Sequence, residues 1–318
     1  MPVEERIGRR DPARRPQPGP ERPPGFPLHG VTPPPSVLGL KPLTEAKYQA
    51  LRQLLAGYGS CVVAYSGGVD SVFLAKVSHD VLGDRSLAAI ADSPSLPRRE
   101  LQEALDVAQR FGIPVRVLQT QEFNDPRYLS NPENRCYFCK HALFRELEPM
   151  ARTLGYQVLA YGENASDVGD HRPGAQAAGE FQVRAPLKEL GLTKAEIREL
   201  SAHLGLPTAD KPQMACLSSR IPTGEAVTPE KLGMVEAAEA FLRDQGFHDL
   251  RVRHHELGGS LKGHLARIEV GGPEFERWQD SRLREAAVTR LKSLGYSLVT
   301  VDLNAYRRGP APIALKPA

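Results

Sequence analysis

The sequence predicts an α/β protein with a doubly wound parallel sheet and a smaller C-terminal α+β domain. Between residues 41 and 222, short apolar runs alternate with helical patterns, which indicates parallel strands with helices on both faces. The run CVVAY at residues 61–65 is wholly apolar, as is typical of a strand buried on both faces. The pattern then changes to a helix, two strands, a helix and a last strand, so we expect a second domain at residues 223–308.

Each element of the first domain follows from a local pattern. Thr44 precedes a helical pattern that ends at glycines, so we expect it to be the N-cap of the first helix. The predicted strands are CVVAY, SLAAIAD, PVRVLQT and YQVLAYG. The helices that connect these strands are predicted at residues 70–82, 97–112 and 136–154.

The second domain is predicted in the same way. A helix at residues 229–244 and another that ends near Leu294 accompany the strands LRVRHHE, HLARIEV and YSLVTVDL. Since strand side chains alternate, Arg251 and Arg253 should share one face of the first of these strands.

Both ends of the chain are predicted to lack stable structure. Residues 1–40 hold 11 of the 28 prolines and few apolar side chains, so they cannot bury enough surface to become ordered. Residues 309–318 are expected to form a flexible tail. Six arginines and four acidic residues give the first segment a charge of +2 out of a formal total of +3. The folded part is therefore near neutral, which argues against a large nucleic-acid interface.

The sequence points to a cytoplasmic protein. Its apolar runs are too short to span a membrane, and the N-terminus lacks the apolar region of a secretory signal. In a reducing compartment the four cysteines are more often inert, catalytic or metal-bound than joined in disulfides.

A phosphate-binding loop is predicted in AYSGGVDS, where the first strand turns into a helix. Two glycines let the backbone approach an anion, and the helix directs free N–H groups towards it. The sequence lacks the Gly-Lys-Ser/Thr of the Walker type, and Asp70 can either hold Mg²⁺ or cap the helix. The predicted phosphate-binding residues are Ser66, Gly67, Gly68, Val69, Asp70 and Ser71.

The segment SGGVDS resembles the pyrophosphate loop of the ATP pyrophosphatases, which adenylate a substrate and release pyrophosphate. This resemblance implies an adenine-nucleotide α-hydrolase-like fold, with ATP across the carboxyl ends of the strands, where the crevice rule also places a ligand. Ala91, Asp92 and Ser93 follow the second strand and would line the adenosine site. Arg98 would lie near the phosphates or in solvent at a helix start.

Three further stretches resemble the LarE family: YGENASDVGDHRPG, KPQMACLSSRIPTG, and LRVRHH with LARIEV. The resemblance covers about residues 44–270. LarE proteins are sulfur transferases of nickel-pincer nucleotide biosynthesis. They adenylate the carboxylates of pyridinium-3,5-biscarboxylic acid mononucleotide and convert them to thiocarboxylates. The resemblance thus implies ATP, Mg²⁺ and this mononucleotide as cofactors and substrate.

The resemblance also implies roles for individual residues. Cys216 would present sulfur. The residues implied for ATP after the fourth strand are Gly162, Asn164 and Asp167, and those for substrate or phosphate are Arg172, Arg251 and Arg253. Glu239 and Glu269 match acidic positions near a metal or the substrate. The alternatives are exposed strand arginines for Arg251 and Arg253, and a solvated helix face for Glu239. Lys211 would lie near the phosphates or only cap a loop.

The remaining cysteines raise a question about the sulfur source. In the best-known form of the family, the cysteine at position 216 loses its own sulfur and becomes dehydroalanine, and no Cys-x-x-Cys is needed. Here Cys136 and Cys139 add two thiolates, and three thiolates can hold a [4Fe–4S] cluster with one open iron that carries sulfide. Zinc with His141 as a fourth ligand, a redox dithiol and inert cysteines remain alternatives. Cys61 is expected to be core packing.

Other functions stay open from the sequence. A tRNA-thiolating enzyme would use the same loop and cysteines, and an amide synthetase of the NAD or GMP synthetase type would use ammonia. A nucleotide-binding regulatory protein with a zinc site is the alternative outside enzymology. The sulfide source and a homo-oligomeric state are not determined.

Overall fold

The computed structural model describes residues 39–167, 173–213, 215–260 and 262–306. The predicted tails lie largely outside these residues, and the boundary between the domains at residue 222 stays a prediction. The strands are β1 (Cys61–Ala64), β2 (Ser86–Asp92), β3 (Val115–Gln119), β4 (Val158–Tyr161), β5 (Leu250–Leu257), β6 (Gly263–Val270) and β7 (Leu298–Val301). The helices are α1 (Pro42–Gly57), α2 (Val69–Leu82), α3 (Arg98–Arg110), α4 (Pro126–Leu129), α5 (Arg135–Thr153), α6 (Pro173–Glu180), α7 (Pro186–Glu189), α8 (Lys194–His203), α9 (Pro229–Asp244) and α10 (Ser281–Ser293).

The first sheet is parallel, with the strand order β3-β2-β1-β4. Its central strand β1 is covered on both sides. Val63 packs into one apolar cluster with Phe73 of α2, and Val62 packs into another with Phe144 of α5. Successive side chains of a strand point to opposite faces, so the two clusters lie on opposite faces of the sheet. The predicted doubly wound fold is confirmed.

The second sheet is small and mixed. β5 and β6 are antiparallel, and β7 is parallel to β6. Leu250 and Val252 pack from β5 against Leu242 of α9 and Leu291 of α10 in one cluster. The C-terminal part therefore has the predicted α+β character.

The predicted start of α1 is wrong. The helix begins at Pro42, with Lys41 as an extended N-cap, and Thr44 is buried within the first turn. Proline is favoured at the first helical position because its fixed φ suits the helix and its missing N–H would have no partner there. Within the described ranges, no helix has both the length and the apolar composition that crossing a bilayer requires.

Candidate functional site

The turn between β1 and α2 requires a glycine at position 67. Gly67 has a φ of +71°, in the left-handed region that glycine adopts without a steric penalty. A Cβ atom there would lie 2.6 Å from the Cβ of Ala104 in α3, closer than carbon atoms pack. Gly68 caps α2 in an extended conformation, and the first N–H groups of that helix have no partner inside it. An anion at this turn would meet those donors and the positive end of the helix dipole.

Two serine hydroxyls hold the turn closed. The N–H of Ser66 donates to Oγ of Ser71 over 3.1 Å, and that hydroxyl donates to the carbonyl of Gly68 over 3.1 Å. The two hydroxyl oxygens are 3.1 Å apart, and the side chain of Val69 is buried. Residues 66–71, called the phosphate loop below, therefore form one preorganised turn.

Asp70 faces a lysine from a distant helix. Nζ of Lys194 lies 2.6 Å from Oδ2 of Asp70, and a capping box of Thr193 and Glu196 sets the start of α8 there. The other oxygen, Oδ1, is buried and has no hydrogen-bond partner among the described residues. Burial raises the pKa of Asp70, against the opposing effect of Lys194. A buried carboxylate oxygen beside a phosphate loop fits Mg²⁺, which prefers oxygen ligands.

The turn after β4 packs against the first turn of α2. A Cβ atom at Gly162 would lie 2.9 Å from the backbone nitrogen of Ser71, so glycine permits this close approach. Asn164 is 1% exposed, and its Nδ2 donates to Oδ2 of Asp167 over 3.0 Å. The structure thus brings these predicted nucleotide residues beside the phosphate loop. Arg172, predicted to bind substrate, lies outside the described residues.

The turn after β2 lies at the same edge of the sheet. Ala91 and Asp92 end the strand, and Ser93 is buried with its hydroxyl 2.7 Å from that of Ser95. Arg98 pairs with Asp92 and donates to the carbonyl of Ser93 over 2.7 Å. Arg98 therefore stabilises this turn from the start of α3. The sequence had placed it either near the phosphates or in solvent, and neither placement included this role.

Cys216 lies on a segment that is bonded to the turn after β2. It precedes the short 3-10 turn Leu217–Arg220, and we call residues 215–222 the cysteine segment. The N–H of Leu217 donates to the carbonyl of Ser95 over 2.8 Å. The hydroxyls of Tyr128 and Ser218 are 2.8 Å apart and hydrogen-bonded. The segment that carries Cys216 is thus in direct contact with the turn that carries Ser93.

The three cysteines predicted as a set lie on two segments, the start of α5 and the cysteine segment. Cys136 and Cys139 are one turn apart at the start of α5. Desolvation raises the pKa of both thiols, and the charge of a Cys216 thiolate raises both further. Cys139 also packs against the apolar cluster that contains Leu217, the residue next to Cys216. Cys61 is fully buried in β1, and its burial raises its pKa to about 12, as expected for core packing.

The thiols fit an iron–sulfur cluster in number and kind, since three thiolates leave one iron open. In the part of the chain that the structure describes, no group of three or more His, Cys, Asp or Glu side chains is arranged to hold a metal ion. His141, the fourth ligand of the zinc alternative, packs against the rings of Tyr137 and Phe181, with centroids 5.7 and 5.1 Å away. The cluster stays a prediction.

Arg251 and Arg253 lie on the face of β5 opposite to its core side chains. Arg253 donates to Oε2 of Glu269 over 3.0 Å and to the carbonyl of Ser219 over 2.8 Å, so it reaches the cysteine segment. Arg251 is buried, and its guanidinium lies 4.9 Å from the ring centroid of Tyr306.

The two acidic residues predicted near a metal are both engaged by arginines. Both oxygens of Glu239 bond to Arg220, at 2.9 and 3.2 Å. Glu269 pairs with Arg253 and Arg267, at 3.0 and 3.1 Å. Their roles as metal ligands stay predictions, and their described contacts are with guanidinium groups.

A cavity of about 650 Å³ lies between α3, residues 207–213 and the start of β5. Among the described residues that line it there is neither a cysteine nor a member of the phosphate loop. Lys211 is part of its wall and binds Glu100 and Glu103 of α3, at 2.6 and 3.3 Å. Lys211 therefore ties its loop to α3.

Sequence reasoning missed several residues of the site, namely Lys194, Ser95, Tyr128 and Arg220. The capping box at Thr193 is visible in the sequence and would have placed Lys194 at the start of a helix. No local signal places it beside Asp70, because the two residues are 124 positions apart.

Comparison with known proteins agrees with this geometry. The NAD synthase family matches residues 44–128. An uncharacterized protein of Synechocystis is 45% identical over 268 residues, which are 84% of this chain and 97% of that protein. The pyridinium-3,5-bisthiocarboxylic acid mononucleotide synthase of Lactiplantibacillus plantarum is 32% identical over 248 residues, 78% of this chain and 87% of that enzyme. A tRNA-specific 2-thiouridylase of Azorhizobium caulinodans is 32% identical over 220 residues, but only 55% of that enzyme is covered.

At 248 residues, the similarity to the synthase is far longer than the phosphate loop alone. The parallel sheet with its phosphate loop and the small mixed sheet after it agree with that extent. The chain therefore belongs to the LarE family of ATP-using enzymes, within the ATP pyrophosphatases that carry a pyrophosphate loop.

Proposed function

We propose that the protein adenylates the carboxylates of pyridinium-3,5-biscarboxylic acid mononucleotide and converts them to thiocarboxylates. The observation that carries the proposal is the 2.8 Å hydrogen bond from the N–H of Leu217 to the carbonyl of Ser95. It joins the turn expected at the adenosine to the segment that presents Cys216. The L. plantarum relative, named for a bisthiocarboxylic acid mononucleotide, supports this choice of substrate.

In the first step, a substrate carboxylate oxygen attacks the α-phosphorus of ATP. The bond from that phosphorus to the bridging oxygen breaks, and pyrophosphate leaves with the electron pair. The N–H groups of the phosphate loop and of the first turn of α2 would hold the departing phosphates. Asp70 would hold Mg²⁺, which neutralises phosphate charge, and Lys194 adds a positive charge beside it.

In the second step, sulfur displaces AMP from the acyl-adenylate, since an acyl phosphate is a far better electrophile than a carboxylate. If Cys216 donates its own sulfur, its thiolate forms a thioester. Loss of the Cα proton and cleavage of the Cβ–S bond then release the thiocarboxylate and leave dehydroalanine. A [4Fe–4S] cluster held by Cys136, Cys139 and Cys216 would instead supply sulfide from an open iron, and Cys216 would survive.

The two sulfur sources are separated by metal analysis. We would purify the full-length protein without oxygen and measure iron, acid-labile sulfide and zinc in the wild type, Cys136→Ala and Cys61→Ala. The last variant is the matched control, because Cys61 is buried in β1. About four irons per chain, lost only in Cys136→Ala, would establish the cluster. Without metal, a Cys216 peptide that has lost its sulfur after turnover would identify the single-use donor.

The reaction itself is tested by pyrophosphate release and by mass spectrometry of the product. Cys216→Ser should still release pyrophosphate with ATP and the dicarboxylate but should form no thiocarboxylate. Nicotinate mononucleotide, which carries one carboxylate, is the matched comparison substrate. If neither pyridinium carboxylate leads to release of pyrophosphate, the proposal is contradicted. Salt-sensitive retention on tRNA together with a thiolated tRNA product would favour the activity named in the A. caulinodans relative.

A further inference from the structure

The carbonyl of Cys216 is held by three donors within the cysteine segment. The N–H of Ser219 donates to it over 3.0 Å, and the hydroxyl of Ser219 donates over 2.8 Å. Nη1 of Arg220 is the third donor, at 3.0 Å. A carbonyl with three donors fixes the backbone of its residue, and through Cβ it limits where the sulfur of Cys216 can lie.

The guanidinium of Arg220 forms hydrogen bonds both to a carboxylate and to two backbone carbonyls. Its Nε and Nη2 form a bidentate pair with Glu239, at 2.9 and 3.2 Å. Its Nη1 donates to the carbonyls of Ala215 and Cys216, at 2.6 and 3.0 Å. The residue is 1% exposed, so these bonds are shielded from water. A lysine has one ammonium group and cannot reproduce the planar fork that satisfies both partners.

Glu239 is itself fixed in the C-terminal part of the chain. It lies on α9, is 4% exposed and accepts the N–H of Val252 in β5 over 3.1 Å. Burial alone would raise its pKa, but the charge and hydrogen bonds of Arg220 outweigh burial and hold the pKa below its ordinary value. The carboxylate is therefore charged and anchors Arg220 to α9 and β5.

We propose that Arg220, oriented by Glu239, is a positioning residue that fixes Cys216 for the sulfur-transfer step. The proposal deepens the proposed function and rests on it. The adenylation step depends on the phosphate loop, whereas sulfur transfer also depends on where the thiol lies relative to the acyl carbon. A displacement of about 1 Å in a reacting group can cost about 100-fold in rate.

The test compares Arg220→Lys with Arg184→Lys in the full-length protein as purified. Arg184 is the matched control because it also forms a bidentate pair, with Glu189, and stacks on Tyr58. In Arg220→Lys, the single-turnover rate constant for thiocarboxylate formation should fall by about 100-fold, while the rate of pyrophosphate release and the KM for ATP stay within about twofold. Arg184→Lys should leave both activities unchanged. A role in stability alone would not separate the two activities.

A second readout does not depend on the activity. Iodoacetamide should alkylate Cys216 at least about tenfold faster in Arg220→Lys than in wild type, with the Cys136 rate unchanged, as followed by peptide mass spectrometry. Should Arg220→Lys fail to fold, Ser219→Ala removes one of the three donors and should shift both readouts in the same direction. An unchanged Cys216 alkylation rate in the folded variant overturns the proposal. A wild type without pyrophosphate release refutes the proposed function and leaves the alkylation test of positioning intact.

Discussion

Acidification is expected to destabilise the second sheet through one buried histidine. His254 of β5 is fully buried in the core-facing row of that strand. Its Nε2 lies 3.1 Å from Nδ1 of His264, and its Nδ1 lies 3.4 Å from the hydroxyl of Tyr296. Neither neighbour carries a negative charge at neutral pH, so the folded protein holds this imidazole in its neutral form.

The magnitude follows from the pKa. Burial lowers the pKa of His254 most, and the charges of His264 and Lys231 lower it further, while Glu256 opposes them. The pKa falls from 6.5 to about 4. Because the folded value is below the unfolded value, the unfolded chain binds a proton between these pH values and the folded chain does not. The contribution of neutral His254 to the free energy of unfolding is complete above about pH 6.5 and is lost as the pH falls towards 4. The loss is about 2 kcal/mol by about pH 5 and about 3 kcal/mol in full.

The assay is urea denaturation at several pH values between about 7.5 and 4.5, followed by circular dichroism. The variant His254→Gln removes the titrating group, and His203→Gln, at the exposed end of α8, is the matched control. Wild type and control should lose about 2 kcal/mol more stability than His254→Gln between pH 7 and pH 5. Equal losses in all three proteins would refute the reasoning, because the acid sensitivity would then come from other groups.

Two further substitutions test the fold and the phosphate loop. Gly67→Ala should weaken ATP binding by about tenfold or more, because its Cβ meets Ala104 and its φ is left-handed. Calorimetric titration measures this, and Gly57→Ala, with open space at its Cβ, should bind ATP as wild type does. Phe144→Ala should cost about 3 to 5 kcal/mol of unfolding free energy, since the side chain is fully buried. The side chain of Leu154 is 47% exposed, so Leu154→Ala should cost far less. A similar loss of unfolding free energy in both variants would contradict the assigned core.

Local patterns made the first sheet and its main loop predictable. The strand SLAAIAD spans Ser86–Asp92 as expected, and the glycines that follow CVVAY do form the turn into α2. Both depend on neighbours in the sequence, namely apolar runs and the freedom of glycine to adopt positive φ. The start of α1 differs from the expected one because Pro42, itself a helix-start signal, opens the helix two residues before Thr44.

Alternation along a strand also carried information. It places the adjacent His254 and His255 on opposite faces of β5: the first faces Tyr296 in the core and the second contacts Arg267 on the other face. The alternation of side chains predicts which face of the strand a residue lies on, but it does not predict which distant residue it contacts. Nothing in the strand LRVRHH indicates that Arg253 reaches the carbonyl of Ser219, which lies 34 residues earlier.

The sequence by itself determined the parallel sheet, the phosphate loop as a turn and the three thiols that are candidates for one site. Only the tertiary structure decided what positions Cys216. Tyr128 meets Ser218 across 90 residues, and Arg220 finds its carboxylate on α9. The physical reason is that backbone conformation is set by a few neighbouring residues, whereas a buried ion pair or hydrogen bond forms only where packing brings distant side chains together and excludes water.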